Sequence, residues 1–340
     1  MRSRRKAILR FTLGIALAAV VFVEIVPRIA SYGSVAHQLG TVSLAWGLAL
    51  AAATLFDILT TPLPWQAVIP KLPFVPALAF TQASTALTTV LPGGAPLGMA
   101  LSFAFLRRLR VDRAQAGFAV ALTGIWSQVM ILVYPLIGAI LVFATGQLST
   151  STAVIAAVSA AAGVLIVGLA VAALRSESAA RWLGDFAARI GARVARLFHR
   201  KPPGWSGEAL ARIRTERMVL LRRRWPRLTV ATLGNQLSAF LVFEFCLRAV
   251  GISVADLPLS EAFLGWAIGR VITSLPLTPG GVGVVELGMI GTLVGFGAPH
   301  AHVVAAVLLY RGLIVLPTLV TGLVSLPLLR RLAPEPAEPA

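Results

Sequence analysis

The chain has 340 residues, of which 57% are hydrophobic and 13% are charged, and its formal net charge is +17. A soluble domain contains about 45–50% apolar residues, so this composition excludes an ordinary soluble protein and indicates an integral membrane protein. The basic residues are bunched beside apolar runs, as the positive-inside rule expects, and do not indicate a nucleic-acid partner. Cys246 is the only cysteine, which excludes an internal disulfide.

Six apolar runs are long enough to span a membrane, which requires about 20 residues. They cover residues 11–27, 41–61, 116–145, 152–174, 228–250 and 302–328. The first follows a basic cluster and lacks a signal-peptide cleavage site, so we interpret it as an uncleaved span. Because basic clusters flank the first and last spans, both termini are predicted to lie in the cytoplasm, with the chain in the cytoplasmic (inner) membrane.

Two further apolar stretches, residues 74–106 and 260–297, are each interrupted by a Pro-Gly-Gly triplet. The triplets are Pro92, Gly93, Gly94 and Pro279, Gly280, Gly281. The flanking charges place both ends of the first stretch inside and both ends of the second outside. Each stretch is therefore predicted to be a re-entrant hairpin of two half-helices, and the two enter from opposite faces as in an inverted repeat. A broken helix persists in hydrocarbon only where protein or a wet cavity satisfies its backbone, so the triplets predict a site at membrane depth.

Residues 175–227 form the one sizeable polar loop. Within it, residues 178–200 interleave apolar and Arg side chains at helical spacing, which predicts a basic amphipathic helix on the anionic cytoplasmic leaflet. A plain topology-setting loop explains the same residues equally well. The expected fold is thus all-α: a polytopic helix bundle of one membrane domain, residues 1–332, with a proline-rich, disordered tail at 333–340.

Charged residues inside the spans need a reason, because a charge at the bilayer centre costs about 2.5–3.5 kcal/mol even on insertion scales. Asp57, Glu244 and Arg248 lie near predicted span ends, where snorkelling lowers that cost. Glu244 and Arg248 are four residues apart on one helix and are expected to form a local ion pair. For these three residues a structural role is favoured.

Arg270, Glu286 and Arg311 flank or follow the second triplet and are favoured as functional. Each triplet opens a half-helix whose N-terminal amides and positive dipole end face the membrane interior, an arrangement that favours an anion such as phosphate. Arg270 and Arg311 are expected to add bidentate contacts to that anion, while Glu286 balances charge or takes up a proton. The alternative is an internal Arg–Glu pair that only holds the hairpin.

Motifs for other chemistry are incomplete. The run Gly280 to Gly283 lacks the preceding strand and the lysine of a phosphate-binding loop, so direct ATP use is not expected. His300 and His302 have no cysteine or carboxylate cluster nearby, so a metal site is not expected. No nucleophile, base and orienting acid can be assembled from the motifs. We therefore expect neither an enzyme nor a bound cofactor.

Three strings resemble a known family, the lysylphosphatidylglycerol synthase transmembrane region, which is described as flippase-like. They are the run Leu277 to Glu286 (LTPGGVGVVE), the run Leu308 to Arg311 (LLYR) with Pro317 beyond it, and the run Leu91 to Gly94 (LPGG). The family has two such motifs, numbered here in chain order, and the second maps onto Pro279, Gly280, Gly281, Gly283, Glu286 and Arg311. In the first motif Ala95, Pro96 and Leu97 stand where many members have an acidic residue, which favours the second hairpin as the site.

The resemblance implies a membrane unit that moves lipids; the aminoacyl transferase domain of the best-understood members does not follow Arg331, so synthase activity is not expected. We predict a translocator of an anionic or phosphate-bearing lipid or glycolipid, with membrane lipids as its partners. The predicted substrate-binding residues are Pro92, Gly93, Gly94, Arg270, Pro279, Gly280, Gly281, Gly283, Glu286, Tyr310 and Arg311. The alternative is a non-transporting membrane partner that organises lipid-modifying enzymes through its basic loop.

Overall fold

The structure, a computed structural model, describes residues 32–90, 95–144, 207–274 and 281–332, together with isolated positions between 154 and 185. Regular structure in these ranges is entirely helical. In chain order the helices are α1 (Tyr32–Gly40), α2 (Leu44–Thr60), α3 (Leu63–Val68), α4 (Phe74–Val90), α5 (Ala95–Arg108), α6 (Arg113–Ala144), α7 (Gly207–Ala249), α8 (Leu259–Ser274), α9 (Val284–Gly295) and α10 (His300–Leu332).

Four of the predicted spans are present as helices long and apolar enough to cross a membrane. They are Leu44–Val68, Arg113–Ala144, Arg224–Ala249 and His300–Ser325. The first is longer than predicted, because the chain turns at Thr61 and Pro62 and then continues through α3. Of the other two predicted spans, 11–27 lies outside the described residues, and only isolated positions of 152–174 are described.

Each triplet-bearing stretch contains two short helices that pack against each other, α4 on α5 and α8 on α9. The longest of the four, α4, has 17 residues. At about 1.5 Å per residue it reaches about 26 Å, short of a hydrocarbon core about 30 Å thick. Residues 91–94 and 275–280, which join the helices of each pair, lie outside the described residues, as does the predicted tail at 333–340.

The connection between α5 and α6 is a tight turn built by local chemistry. Arg110 adopts a φ of 60° beyond the end of α5, and the amide of Val111 donates back to the carbonyl of Leu106 at 3.0 Å. This is a usual way to satisfy the last carbonyls of a helix. The carboxylate of Asp112 then accepts hydrogen bonds from the amides of Ala114 and Gln115 and caps α6. The turn places basic residues at one end of both helices.

Small residues allow α8 and α9 to approach closely. A Cβ atom added at Gly265 would lie 2.6 Å from Cδ2 of Leu293, and one added at Gly269 would lie 2.5 Å from Cγ of Met289. Interhelical contacts through such residues are typical of membrane helices, in which packing replaces the hydrophobic effect as the driving force. The α8–α9 pair is also held by α8 packing on α6 and by α9 packing on α10.

Candidate functional site

Polar side chains lie near the midpoints of all four described spans. They are Asp57 in Leu44–Val68, Ser127 in Arg113–Ala144, Gln236 and Ser238 in Arg224–Ala249, and Arg311 in His300–Ser325. Hydrogen bonds bring Arg270 of α8 and Glu286 of α9 to the same level. We call these seven residues the mid-span layer. Binding sites of membrane transporters typically lie at this depth.

Glu286 and Arg311 form an ion pair that joins the start of α9 to the middle of α10. Nε of Arg311 donates to Oε1 of Glu286 at 2.7 Å, and the two side chains are 13% and 3% exposed. The other carboxylate oxygen, Oε2, accepts a hydrogen bond from the amide of Gly283 at 2.7 Å. The carboxylate of Glu286 is therefore itself an anion at the N-terminal end of α9, where the helix dipole favours negative charge. The internal pair considered as the alternative is present.

Backbone geometry that favours glycine places this carboxylate. Gly281 has a φ of 70°, and Gly283, the residue that caps α9, has a φ of 87°. Residues that have a Cβ atom rarely adopt such backbone angles, so the glycines of the second motif allow the chain to turn directly into α9. Pro279 and Gly280 of the same motif, and the whole first triplet Pro92 to Gly94, lie outside the described residues.

Arg270 is held by a polar residue on one side and an aromatic ring on the other. Its Nη2 donates to Oε1 of Gln236 at 2.5 Å, and Nε2 of Gln236 donates to Oγ of Ser127 at 3.2 Å. The guanidinium carbon lies 5.9 Å from the ring centroid of Trp266. The Nε of Arg270 is buried and has no hydrogen-bond partner among the described residues.

Tyr134 presents a second unsatisfied polar atom beside Trp266. Its side chain is 1% exposed, its ring centroid lies 5.5 Å from that of Trp266, and its hydroxyl has no partner in the described part of the chain. Nearly all buried polar groups in proteins are hydrogen-bonded, so an exception needs an explanation. Nothing in the sequence points to Tyr134, since one tyrosine in an apolar run carries no signal.

Tyr310, predicted to bind substrate, is built into the protein interior. It is 4% exposed, and its hydroxyl accepts a hydrogen bond from Nε1 of Trp266 at 3.0 Å. Its ring also makes an edge contact with Phe243. The structure therefore places Tyr310 next to Trp266, the residue against which Arg270 rests, so Tyr310 orients a neighbour of Arg270.

Asp57 lies at mid-span, which corrects the expectation of a span-end position. Because the span continues through α3 to Val68, the residue is far from either end. Pro62 and Pro64 stop a continuous helix but are tolerated at the start of a new one. These two prolines are the feature of the sequence that could have indicated that the span continues in a second helix. Oδ1 of Asp57 accepts a hydrogen bond from Oγ of Ser238 at 2.7 Å.

Glu244 and Arg248 form the expected i,i+4 pair near the end of α7. Nε of Arg248 donates to Oε1 of Glu244 at 2.6 Å. The two remaining guanidinium nitrogens donate to the carbonyl oxygens of Ile252 and Leu257 at 2.9 and 3.1 Å. These contacts fix the loop that leads to α8, and the favoured structural role is consistent with them.

A second polar bridge connects the first helix pair to the spans. Nε2 of Gln82 on α4 donates to Oγ1 of Thr61 at 3.1 Å, and its Oε1 accepts from Oγ1 of Thr321 on α10 at 3.0 Å. Gln82 is 2% exposed.

The described residues contain no group of three or more His, Cys, Asp or Glu side chains arranged to hold a metal ion. The mid-span layer thus offers guanidinium, carboxylate, amide and hydroxyl groups.

Comparison with protein families gives a match over most of the chain. The family model described as "Lysylphosphatidylglycerol synthase TM region" matches residues 11–322, which include all seven residues of the mid-span layer. No curated protein matches the chain.

Proposed function

We propose a function from one premise: the chain belongs to the lysylphosphatidylglycerol synthase TM region family. It is a multi-pass membrane protein, and the family is consistent with a lipid-related role. The function that the mid-span layer supports best is movement of an anionic or phosphate-bearing lipid or glycolipid across the cytoplasmic membrane. The proposal includes no chemical change to the lipid and no cofactor.

The proposed architecture has six spans, two re-entrant hairpins related as an inverted repeat, and both termini in the cytoplasm. Its support is the pairing of short helices, α4 with α5 and α8 with α9, that are too short to cross alone. Arg107 and Arg108 in the last turn of α5, with Lys71 before α4, favour a first hairpin with both ends in the cytoplasm. Two hairpins that enter from opposite faces would meet at the depth of the mid-span layer.

The unsatisfied Nε of Arg270 is the observation that carries the proposal. A guanidinium at membrane depth is costly, and a buried donor without a partner costs about 1–3 kcal/mol more. Arg270 makes one hydrogen bond to a neutral amide and none to a carboxylate within the described ranges. A phosphate oxygen would satisfy both the charge and the free donor, because the guanidinium edge matches phosphate in a bidentate contact.

Roles follow from these contacts. Arg270 binds the headgroup phosphate, and the unpaired hydroxyl of Tyr134, which lies against the same Trp266 ring, is a second donor. The Arg311–Glu286 pair holds the start of α9 in place, so its first contribution is to position the second hairpin. On the expectation from the sequence, the glycines of both triplets would let the headgroup pass close to the backbone.

A reconstituted system tests the proposal directly. Proteoliposomes carry phosphatidylglycerol with a fluorophore on one acyl chain, and a membrane-impermeant quencher reports its movement between leaflets. Loss of a charge-assisted bond of about 1.5–3 kcal/mol predicts movement about 10- to 100-fold slower for Arg270→Met, and an intermediate rate for Arg270→Lys. The control is Arg113→Met, which removes an exposed charge from the start of α6.

Equal rates in wild type, Arg270→Met and protein-free vesicles would overturn the proposal. The non-transporting alternative would then gain weight. That alternative rests on residues 178–200, most of which lie outside the described residues. Deleting that segment and measuring the loss of co-purifying lipid-modifying enzymes tests it separately.

A further inference from the structure

Two carboxylates occur in the four described spans, and their surroundings differ. Glu244 is paired with Arg248 near the end of its helix. Asp57, at mid-span, has no Lys, Arg or His nitrogen within 4.0 Å in the described ranges. An ionised carboxylate at that depth needs compensation, and membrane proteins commonly use such residues to carry protons.

The hydrogen bonds around Asp57 suit both of its protonation states. Oγ of Ser238 lies 2.7 Å from Oδ1 of Asp57 and also 2.7 Å from the carbonyl oxygen of Asn235. When Asp57 is ionised, the Ser238 hydroxyl donates to the carboxylate. When Asp57 is protonated, its O–H donates to Ser238, whose own proton turns to the carbonyl of Asn235. A hydroxyl rotates freely enough to serve both arrangements.

Thr60 completes this network without forcing either state. Its Oγ1 lies 2.9 Å from Oγ of Ser238 and 2.8 Å from the carbonyl oxygen of Asp57, and it accepts a hydrogen bond from Nδ2 of Asn235 at 3.1 Å. Each hydroxyl therefore has both a donor and an acceptor within reach. Only proton positions need to change when Asp57 gains or loses its proton.

Few charged or titratable groups face Asp57. The helices packed against α2 are α7, α10 and α4. From α7 comes the neutral Ser238, from α10 comes the Tyr310 phenol, and on α4 the nearby Gln82 bonds Thr61. The cation whose charge acts on Asp57 is Arg270 of α8, which lies beyond ion-pair distance.

We propose that the positive charge of Arg270 is compensated by ionised Asp57 in the empty protein and by the phosphate of the ligand in the bound protein. When the anion binds Arg270, Asp57 takes one proton from water on the side from which the ligand enters, and an O–H bond forms at its carboxylate. When the anion leaves, that O–H bond breaks, the proton passes to water on the exit side, and the carboxylate again compensates Arg270. Asp57 thereby couples lipid movement to a proton gradient. This inference rests on the proposed function in taking the ligand to be phosphate-bearing.

Calorimetry of the full-length protein in detergent counts the protons. The probes are dihexanoyl phosphatidylglycerol and glycerophosphoglycerol, phosphodiesters whose charge is constant across the pH range and which differ in their acyl chains. Titrations in buffers of different ionisation enthalpy are expected to show that the wild type takes up about one proton per bound phosphodiester. Asp57→Asn is expected to take up about none. The control variant Asp256→Asn, in an exposed loop, is expected to take up as many protons as the wild type. Above the pH at which unliganded Asp57 ionises, wild-type affinity falls about tenfold per pH unit. Binding of both probes indicates a phosphate site; binding of the lipid alone adds an acyl-chain requirement.

Infrared difference spectra of the wild type keep the inference testable if Asp57→Asn does not fold. Adding glycerophosphoglycerol, which has no ester carbonyl of its own, is expected to produce the carbonyl band of a protonated carboxylic acid. Ligand binding without proton uptake and without this band overturns the inference, as does the failure of both probes to bind.

The vesicle assay separates this inference from the proposed function. A wild type that moves lipid without any response to an imposed pH gradient and without proton uptake on binding would overturn only the role of Asp57. That result would leave the proposed function standing. Proton uptake on binding without lipid movement defeats translocation while the anion–proton linkage stands. With both intact, an imposed gradient is expected to accelerate wild type about tenfold or more and to leave Asp57→Asn unchanged.

Discussion

Breaking the Arg311–Glu286 pair is expected to destabilise the protein strongly, because both side chains are nearly buried at 13% and 3% exposure. Removing one partner of a buried ion pair costs about 3–5 kcal/mol, since the other charge is left uncompensated. Glu286→Leu and Arg311→Met are each expected to lose that amount. The Leu variant also leaves the amide of Gly283 without its acceptor.

The double variant Glu286→Leu/Arg311→Met distinguishes an ion pair from two independent side chains. Replacing a whole buried pair with apolar residues is often neutral or stabilising. Loss of the acceptor of the Gly283 amide itself costs about 1–3 kcal/mol. The double variant is thus expected to be more stable than either single variant, and far more stable than the sum of their losses predicts.

The lone cysteine supplies the assay. Cys246 is buried, with 0% of its surface exposed, so a thiol-reactive fluorophore labels it only when α7 unfolds. At about 2 °C per kcal/mol, each single variant should label about 6–10 °C below the wild type. Arg113→Met, on the surface, is the matched charge-removal control. A Glu286→Leu protein that unfolds with the wild type, or a double variant whose loss equals the sum, would refute the reasoning.

Two further predictions use the same thermal assay. Gly283→Ala places a residue with a Cβ atom at a backbone φ of 87° and is expected to lower the free energy of unfolding by about 1–3 kcal/mol. Gly291→Ala, on an open face of α9, is expected to raise it by about 0.5–1 kcal/mol. Equal stability of the two variants would contradict the turn assigned at Gly283. The hydroxyl and amide of Ser253 donate to Asp256 and lower the pKa of Asp256. This stabilisation is present above the unfolded pKa of about 3.9 and is lost as pH falls through the folded value, so Asp256→Asn should lower the unfolding temperature at neutral pH and have no effect in strong acid. A deficit that persists in acid would count against it.

Features that depend on neighbouring residues could be predicted from the sequence. The spans over α2, α6, α7 and α10 follow from apolar runs of sufficient length, and the Glu244–Arg248 pair follows from i,i+4 spacing. Each triplet-bearing stretch contains two short helices, one on either side of its triplet, as proline and glycine in the sequence predict.

The exact end of a span and the contacts between residues far apart in the chain could not be predicted from the sequence. Ending the second span at residue 61 placed Asp57 near the end of that span, while continuation through Pro62 places it at mid-span. The hydrogen bond from Ser238 to Asp57 joins residues 181 positions apart, and that from Arg270 to Gln236 joins two helices. No periodicity in the chain specifies such partners.

Hydropathy, basic flanks and helix-breaking residues by themselves determined a membrane-embedded helical protein with two interrupted segments, because each of these signals acts over a few neighbouring residues. Only the tertiary structure decided that Glu286 belongs to Arg311, that Arg270 keeps an unsatisfied donor, and that Asp57 shares a network with Ser238. Hydrogen bonds require atoms to approach within about 3 Å, and the packing of helices far apart in the chain determines which side chains come that close.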